Sequence, residues 1–233
     1  MALEQSKTLE NYFDKIAANY QFMNSLLSLN LDRFWRDKLL KRTRLKEGSF
    51  FLDVACGTCD IAQLIEKDYS NRSINVHGVG LDLSFGMLEV AKQNEALGLL
   101  VRGNGVSTPF PEASFDLITI SFGYRNMPSH QEFLKEAFRL LKPGGQLLVL
   151  ELTRPKNPVL NFGNTIYLNT ILPLVSQFFG RDREAYRYLA RSIQAFPHQD
   201  EVQLNFEQEG FLSCSYELLN GGITTLFEGS KPV

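Results

Sequence analysis

Leu52-Asp53-Val54-Ala55-Cys56-Gly57-Thr58-Cys59-Asp60 is the stretch that decides the fold class. The run Ser49–Ala55 reads as a buried strand, and Asp60 as the cap of a helix running to about Asp68. The small residues between them let the backbone approach a ligand closely. In an open α/β sheet, ligands sit at the carboxyl ends of the strands, where this loop lies. The loop keeps a single glycine, Gly57, and has neither G-K-[ST] nor G-x-G-x-x-G, so it is a poor phosphate cradle.

Working outward, strand and helix alternate, as in a mostly parallel sheet covered on both faces. Residues 8–45 read as helical, with Phe13, Ile16, Ala17, Tyr20, Met23 and Leu27 at helical spacing, then Trp35, Leu39 and Leu40. Further strands are read at 75–82, 99–101, 115–122 and 146–152. The helices between them span 85–97, capped by Ser84, and 130–141, stopped by Lys142-Pro143-Gly144-Gly145. Helices at 158–179 and 182–195 follow the fifth strand, and another covers 201–209. The tail reads as strands 212–219 and 222–228 joined by Asn220-Gly221, a hairpin-type pair.

A chain of 233 residues suits one domain and buries roughly 70% of its unfolded surface without staples. A hydrophobic content of 44% and a charged content of 21% exclude a disordered or fibrous protein. A net charge of −2 argues against a dedicated nucleic-acid binder. Cysteines at 56, 59 and 214 are odd in number, which fits a reducing cytoplasm better than a disulfide framework. Cys56-x-x-Cys59 lacks a second ligand pair for zinc, so no metal is expected. Met1–Glu10 is too polar for a signal peptide, and the apolar stretch Ile166–Phe179 is too short to span a bilayer.

Asp82 closes the second strand, where a carboxylate is placed to bind the two hydroxyls of a ribose. Gly103-Asn104-Gly105 follows the third strand and offers a polar side chain to an adenine edge. Together with the first loop these suit an adenosine that need not carry phosphate. S-adenosylmethionine is such a molecule, with a carboxylate and an amine in place of phosphates. The N-terminus of the Asp60 helix favours that carboxylate.

The series LDVACGT (52–58), GLDLS (80–84), GNG (103–105), SFDLI (114–118) and LLKPGGQLLVLE (140–151) resembles the class I S-adenosylmethionine-dependent methyltransferases. The resemblance narrows to the C-methyltransferases of menaquinone and ubiquinone biosynthesis through three segments. These are Tyr20-Gln21-Phe22-Met23-Asn24 with Leu27-Ser28 and Trp35, then Thr119–Asn126 with its F-G-x-R-N core, then Arg139–Glu151. Tyr186-Arg187-Tyr188-Leu189 with Ser192-Ile193 is a weaker fourth, and the whole match covers about residues 12 to 229.

The resemblance implies an α/β, Rossmann-like fold: a seven-stranded, mostly parallel sheet with an antiparallel C-terminal hairpin. It divides the one domain into an N-terminal helical cap (1–45), a cofactor-binding core (46–152), a helical insertion over the substrate site (153–200) and a C-terminal helix and hairpin (201–233). Position by position, it implies that Thr58, Asp82, Asn104, Gly105 and Ser121 contact the cofactor, S-adenosyl-L-methionine, and that Gly57 shapes the loop. Arg125 and Asn126 would face the substrate ring and Tyr20 would help close the pocket. Departures from the family pattern are Gln21 for Asp, Asp32 for His, Cys59 for the last glycine of the loop, and Phe196-Pro197-His198-Gln199-Asp200 for His-Pro-Asp-Gln-Asp.

The implied reaction is methylation of a ring carbon of a polyprenylated quinol. Carbon is a poor nucleophile unless the neighbouring hydroxyl ionises. Arg125 is always protonated, so it suits stabilising the phenolate or holding a water, rather than acting as base. Asn126 would orient the ring oxygen, and His198 is a conceivable base. The chain opens almost directly on the family core with no transit peptide, which leads to the expectation of demethylmenaquinol as substrate. The benzoquinol step of ubiquinone synthesis, both steps, or another small molecule are the alternatives. The apolar residues of 158–179 would guide the isoprenoid tail, with peripheral contact at the inner face of the membrane, or form a homodimer face. A nucleic-acid methyltransferase acting on base amino groups would carry [DN]-P-P-[YF] where this chain has Ser121-Phe122-Gly123-Tyr124. A nicotinamide dehydrogenase would need the absent glycine fingerprint. A non-catalytic scaffold has no need of Asp82 and Asn104.

Overall fold

Consecutive residues of strand β1 (Ser49–Val54) are buried on opposite faces of a sheet: Phe51 packs into one core, Leu52 and Val54 into the other. That two-sided burial is why the strand reads as a continuous apolar run rather than an alternating one. The computed structural model describes Asp14, residues 28–171, Leu174 and residues 183–233. The remaining elements in chain order are α1 (Leu31–Leu40), α2 (Asp60–Asn71), β2 (Val76–Asp82), α3 (Phe85–Gln93), β3 (Leu99–Arg102), β4 (Phe115–Ser121), a 3-10 turn (Tyr124–Asn126), α4 (His130–Leu140) and β5 (Leu141–Leu152). There follow α5 (Pro158–Ile166), a π turn (Tyr167–Ile171), α6 (Arg183–Ala195), α7 (Gln199–Gln208), β6 (Leu212–Leu219), a second 3-10 turn (Asn220–Gly222) and β7 (Thr224–Ser230).

The seven strands lie in the order β3-β2-β1-β4-β5-β7-β6. β1 to β5 are parallel, and β7 runs antiparallel to both β5 and β6, as the tail hairpin required. Strand order reverses between β1 and β4, so the crevice for a ligand lies outside their carboxyl ends. One core packs α1 and α2 against the sheet through Trp35, Leu39, Ile61, Ile65 and Tyr69. The other packs α4 and α7 through Phe133, Leu134, Ala137, Val202 and Phe206. The four inward residues of α4 (Phe133, Leu134, Ala137, Leu140) follow helical spacing, and the Ser129 hydroxyl accepts the Glu132 N–H at its start.

Four local expectations change. Asp60 is not a cap but the first residue of α2; Cys59 holds the cap position at φ 62°, and the Asp60 carboxylate instead meets Arg36 of α1 at 2.7 Å. α3 stops at Gln93, four residues early, where Glu95 turns to φ 51° and the Ala96 N–H closes onto the Ala91 carbonyl. Lys142–Gly145 does not merely stop a helix. It enters β5 through a register shift, with Leu141 opposite Phe115 and Gln146 opposite Leu117, while Gly144 and Gly145 bond to Lys231. The helix expected over 8–45 does not run through Ser28–Asn30, because Leu29 and Asn30 are both left-handed and cannot continue a right-handed turn, and α1 ends at Leu40. Tyr20 and the rest of residues 15–27, together with Leu172, Pro173 and 175–182, lie outside the described residues.

α1 is held to the far end of the sheet. The Trp35 indole N–H donates to Asn220 Oδ1 at 2.7 Å, in the turn between β6 and β7. The Asp32 carboxylate, where the family pattern has His, is buried and accepts from the Ser28 hydroxyl.

Candidate active site

The site is built where β1 and β4 end side by side. Val54 is level with Ile120; the chain leaves extended geometry at Ala55, directly after β1, and at Phe122, directly after Ser121 closes β4. Ala55, Cys59 and Phe122 all adopt left-handed backbone (φ 50°, 62° and 59°), a conformation that costs a non-glycine residue roughly 1–2 kcal/mol. Strain of this kind persists only where surrounding contacts hold it. Here the Cys56 N–H is tied to the Leu81 carbonyl and the Phe122 N–H to the Leu150 carbonyl. Cys59, replacing the usual glycine, therefore occupies a backbone position that explains the family's preference. Gly123 is required by space: a Cβ there would lie 2.7 Å from that of Ala55.

Asp82, at the end of β2, fastens these loops together. One carboxylate oxygen accepts the Gly57 N–H and the other the Ser84 N–H, both at 2.8 Å. Burial raises its pKa, and backbone N–H groups of Ser84, Gly57 and Leu83 pull the other way. Ser84 caps α3 by accepting from the Met87 N–H, and its own hydroxyl donates to Asp14, which also accepts the Gly86 N–H. Beyond β3, Asn104 Oδ1 accepts the Val106 N–H at 3.2 Å and shapes a tight turn.

Between these loops lies an open cleft of about 780 Å³, solvent at its mouth included. Gly57, Asp82, Asn104, Gly105, Ser121 and Asn126 line it, beside Phe122, Met87, Met127 and Pro128. Six of the residues singled out from sequence thus meet in one cavity. Two do not reach it. Thr58 is buried outside the lining, and Arg125 turns away into the protein. Tyr20 lies outside the described residues, and His198 sits exposed at the start of α7, away from the cleft.

The lining fits an adenosyl sulfonium. Asp82 has carboxylate lone pairs left for ribose hydroxyls, and Asn104 stands beside it. The buried Ser121 hydroxyl, on the lining, has no hydrogen-bond partner among the described residues. Orphaned buried hydroxyls are uncommon and fit groups meant for a ligand.

Arg125 and Asn126 follow β4 on the 3-10 turn. The Arg125 guanidinium meets Glu151 of β5 at 2.5 Å, and donates to the Phe122 carbonyl and, through Nε, to Ser192 Oγ. Glu151 also accepts the backbone N–H groups of Arg125 and Leu152. The Arg125 guanidinium, expected to face a substrate ring, is here drawn inward by a fully buried carboxylate and is not on the cleft lining. Asn126 does face the cleft, and its Oδ1 accepts from the Tyr188 hydroxyl at 2.8 Å. Glu151, Tyr188 and Ser192 were not recognised as site residues from sequence. The signals were there: a lone carboxylate closing the apolar run Leu147–Leu150, and two hydroxyls four residues apart on one helix.

Residues 1–231 match the ubiE/COQ5 methyltransferase family. The chain belongs to this family. A ubiquinone/menaquinone biosynthesis C-methyltransferase of Xanthomonas campestris is 37% identical, with 99% of this chain and 92% of that protein aligned. A demethylmenaquinone methyltransferase of Staphylococcus carnosus is 33% identical over 97% of this chain and 94% of its own length. Among solved structures, a SAM-dependent methyltransferase of Thermotoga maritima superposes with a TM-score of 0.66 at 16% identity, covering 95% of this chain and 99% of that one, which supports the fold. In ubiE/COQ5 terms, the cleft joins the segment 52–60 to the F-G-x-R-N segment across the strand-order reversal. No helix among the described residues is long and apolar enough to cross a membrane.

Proposed function

We propose that this member of the ubiE/COQ5 methyltransferase family methylates a ring carbon of a polyprenylated quinol, with demethylmenaquinol as the substrate. The observation that carries the reading is that Asp82 and Asn104, suited to an adenosine, share one cleft with Asn126 of the F-G-x-R-N segment. Naphthoquinol is favoured because menaquinone is the quinone common to the names of both kinds of relative, while ubiquinone appears in only one.

When bound, S-adenosylmethionine supplies an electrophilic methyl group on sulfur. Asp82 would hold the ribose hydroxyls, Asn104 and Gly105 the adenine, and Ser121 and the Gly57 loop the remainder. The residues' work is orientation, which at best supplies roughly 7–11 kcal/mol of a barrier. Asn126 donates to the quinol oxygen and favours its ionised form, so that electron density rises on the adjacent ring carbon. Methyl transfer to that carbon would displace its ring hydrogen as a proton, so that one proton would pass to water for each methyl group transferred and the quinol hydroxyl would be restored. Arg125, held on Glu151, keeps the turn that carries Asn126 in place.

The isoprenoid tail needs an apolar exit. α5 buries none of its residues and leaves Val159, Leu160, Phe162 and Ile166 exposed, in a stretch (157–180) without one charged side chain. We infer that this face meets the membrane surface where the quinol resides. Flotation with lipid vesicles tests it. A dimer in sedimentation that is lost in Phe162→Ser, without flotation, would mean a second copy covers the face instead.

The deciding experiment for the reaction offers reduced demethylmenaquinone and the benzoquinol precursor separately, anaerobically, with methyl-labelled cofactor. Label in the naphthoquinol alone is the expected result. Label in both makes the enzyme dual, and label in neither, with the cofactor bound by calorimetry, sends the fold to another acceptor.

A further inference from the structure

Tyr188 and Ser192 lie one turn apart on α6 and meet two consecutive residues of the candidate site. Ser192 Oγ accepts from Arg125 Nε at 3.3 Å, and the Tyr188 hydroxyl donates to Asn126 Oδ1 at 2.8 Å. The helix face is thus in register with the turn Tyr124–Asn126. Tyr188 is half-buried and, among the described residues, Asn126 Nδ2 donates to no protein acceptor; its carbonyl oxygen is the end committed to the protein.

We infer that Tyr188 is a positioning residue: by engaging Asn126 Oδ1, it fixes the carboxamide so that Nδ2, a donor, is the end presented to the substrate oxygen. This rests on the quinol reading above. An unanchored carboxamide can rotate and turn its carbonyl oxygen to the cleft. Two oxygen lone-pair carriers would then face each other, and a developing phenolate would be repelled instead of stabilised. Tyr188 touches no reacting atom in this scheme. It acts only through Asn126, which sets it apart from a residue that merely packs the insertion.

The test is a double-mutant cycle on the full-length enzyme with demethylmenaquinol and S-adenosylmethionine. Tyr188→Phe keeps the ring and removes the donor. It is expected to lower kcat by 10- to 100-fold while the KM for S-adenosylmethionine stays within twofold. Asn126→Ala is expected to cost at least as much, and the double variant to equal Asn126→Ala within twofold. A Tyr188→Phe enzyme with wild-type kcat, or a double variant in which the two losses multiply, overturns the proposal. Asn126→Asp is the second probe, independent of any folding defect in Tyr188→Phe. It can still accept from Tyr188 but places an oxygen where Nδ2 was, so kcat should fall as far as in Asn126→Ala. Wild-type turnover in Asn126→Asp also overturns the proposal. A wild-type enzyme inactive on both quinols sinks the quinol reading and this inference with it, whereas an active wild type with an unaffected Tyr188→Phe sinks this inference alone.

Discussion

Arg125 and Glu151 form an ion pair at 2.5 Å with almost no exposure, 8% for the arginine side chain and none for the glutamate. The pair joins the turn after β4 to the end of β5, and the glutamate's remaining capacity is spent on two backbone N–H groups. Desolvation of two such charges consumes much of their attraction, so the pair is weak evidence for stability but costly to break. Glu151→Ala leaves a buried, unpaired guanidinium and should destabilise the fold by about 3–5 kcal/mol. Urea denaturation measures it. The double replacement Arg125→Met with Glu151→Leu should recover most of that loss while remaining inactive on quinol. Recovery of activity in the double variant would show that the pair has no part in placing the turn.

Asp82 accepts one N–H from each of two loops, which makes it both a structural tie and the expected ribose ligand. Asp82→Asn exchanges one acceptor for an amide facing a backbone N–H. Affinity for S-adenosylmethionine should fall by at least about 10-fold, because a hydrogen bond to a charged group contributes roughly 1.5–3 kcal/mol. Burial raises the Asp82 pKa, so binding should weaken on acidification from a pH above the ordinary carboxylate range. Calorimetric titration across pH checks both points. An affinity in Asp82→Asn equal to wild type would remove Asp82 from the site.

That Gly57, Asp82, Asn104, Gly105 and Ser121 meet in one candidate cleft was legible in sequence for a physical reason. These residues sit at strand ends, which a run of buried apolar residues places to within a position or so, and parallel topology then brings those ends together. The substrate half was less legible because its geometry depends on pairs far apart in sequence. Nothing local to Arg125 reveals that Glu151 lies under it, and nothing local to Asn126 reveals Tyr188, 62 positions later. Fine boundaries failed where backbone conformation overrode side-chain habit. Asp60 has the chemistry of a cap, but the left-handed Cys59 before it takes the cap position, and the Asp60 carboxylate pairs with Arg36. The Lys142-Pro143-Gly144-Gly145 segment has the chemistry of a stop, yet pairing with Phe115 and Lys231 carries it into the sheet.

Gly123 allows the β4 loop to pass the β1 loop at a distance no side chain permits, since a Cβ would meet Ala55 Cβ at 2.7 Å. Gly123→Ala must push the two loops apart. Because both line the cleft, the expected consequence is a loss of cofactor affinity of 10-fold or more alongside destabilisation of about 1–3 kcal/mol, the usual cost of overpacking. Gly98→Ala is the control, with open space around its added carbon. It should leave cofactor affinity within twofold. Equal behaviour of the two variants in calorimetry would mean that the close approach is not what shapes the cleft.

The cysteines should respond to a thiol reagent according to burial. Cys59 is inaccessible and Cys56 nearly so, whereas Cys214 is only partly covered. Cys56 titrates well above the ordinary thiol range, through its hydrogen bond with Cys59 and burial, which suppresses thiolate further. Burial also lifts Cys214, to about 11, so even this thiol should react slowly near neutrality. In the native protein a disulfide reagent should label Cys214 first, with Cys56 and Cys59 reacting only on unfolding. Mass mapping of the labelled peptides decides the order. Early labelling at Cys56 would mean that the loop 55–59 opens in solution.

Asp53 should govern how stability changes with pH near neutrality. It is buried in β1 and accepts from the Thr119 hydroxyl at 2.7 Å. Burial carries its pKa from 3.8 to about 7; the Thr119 bond and Arg36 oppose the rise, while Asp60 and Asp82 add to it. Between those two values the folded protein holds a proton that the unfolded chain has released. Stability from this group is therefore fully present below the unfolded value, declines as pH rises toward 7, and levels off above it. The decline is on the order of a few kcal/mol, since one pKa unit corresponds to about 1.4 kcal/mol. Asp53→Asn keeps an acceptor for Thr119 and cannot ionise. Denaturation at pH values on either side of this window should show the wild type losing stability relative to Asp53→Asn as pH rises. A difference between the two proteins that stays constant across the window would mean that Asp53 titrates at the same pH folded and unfolded, and that water reaches it through the strand ends above the cleft.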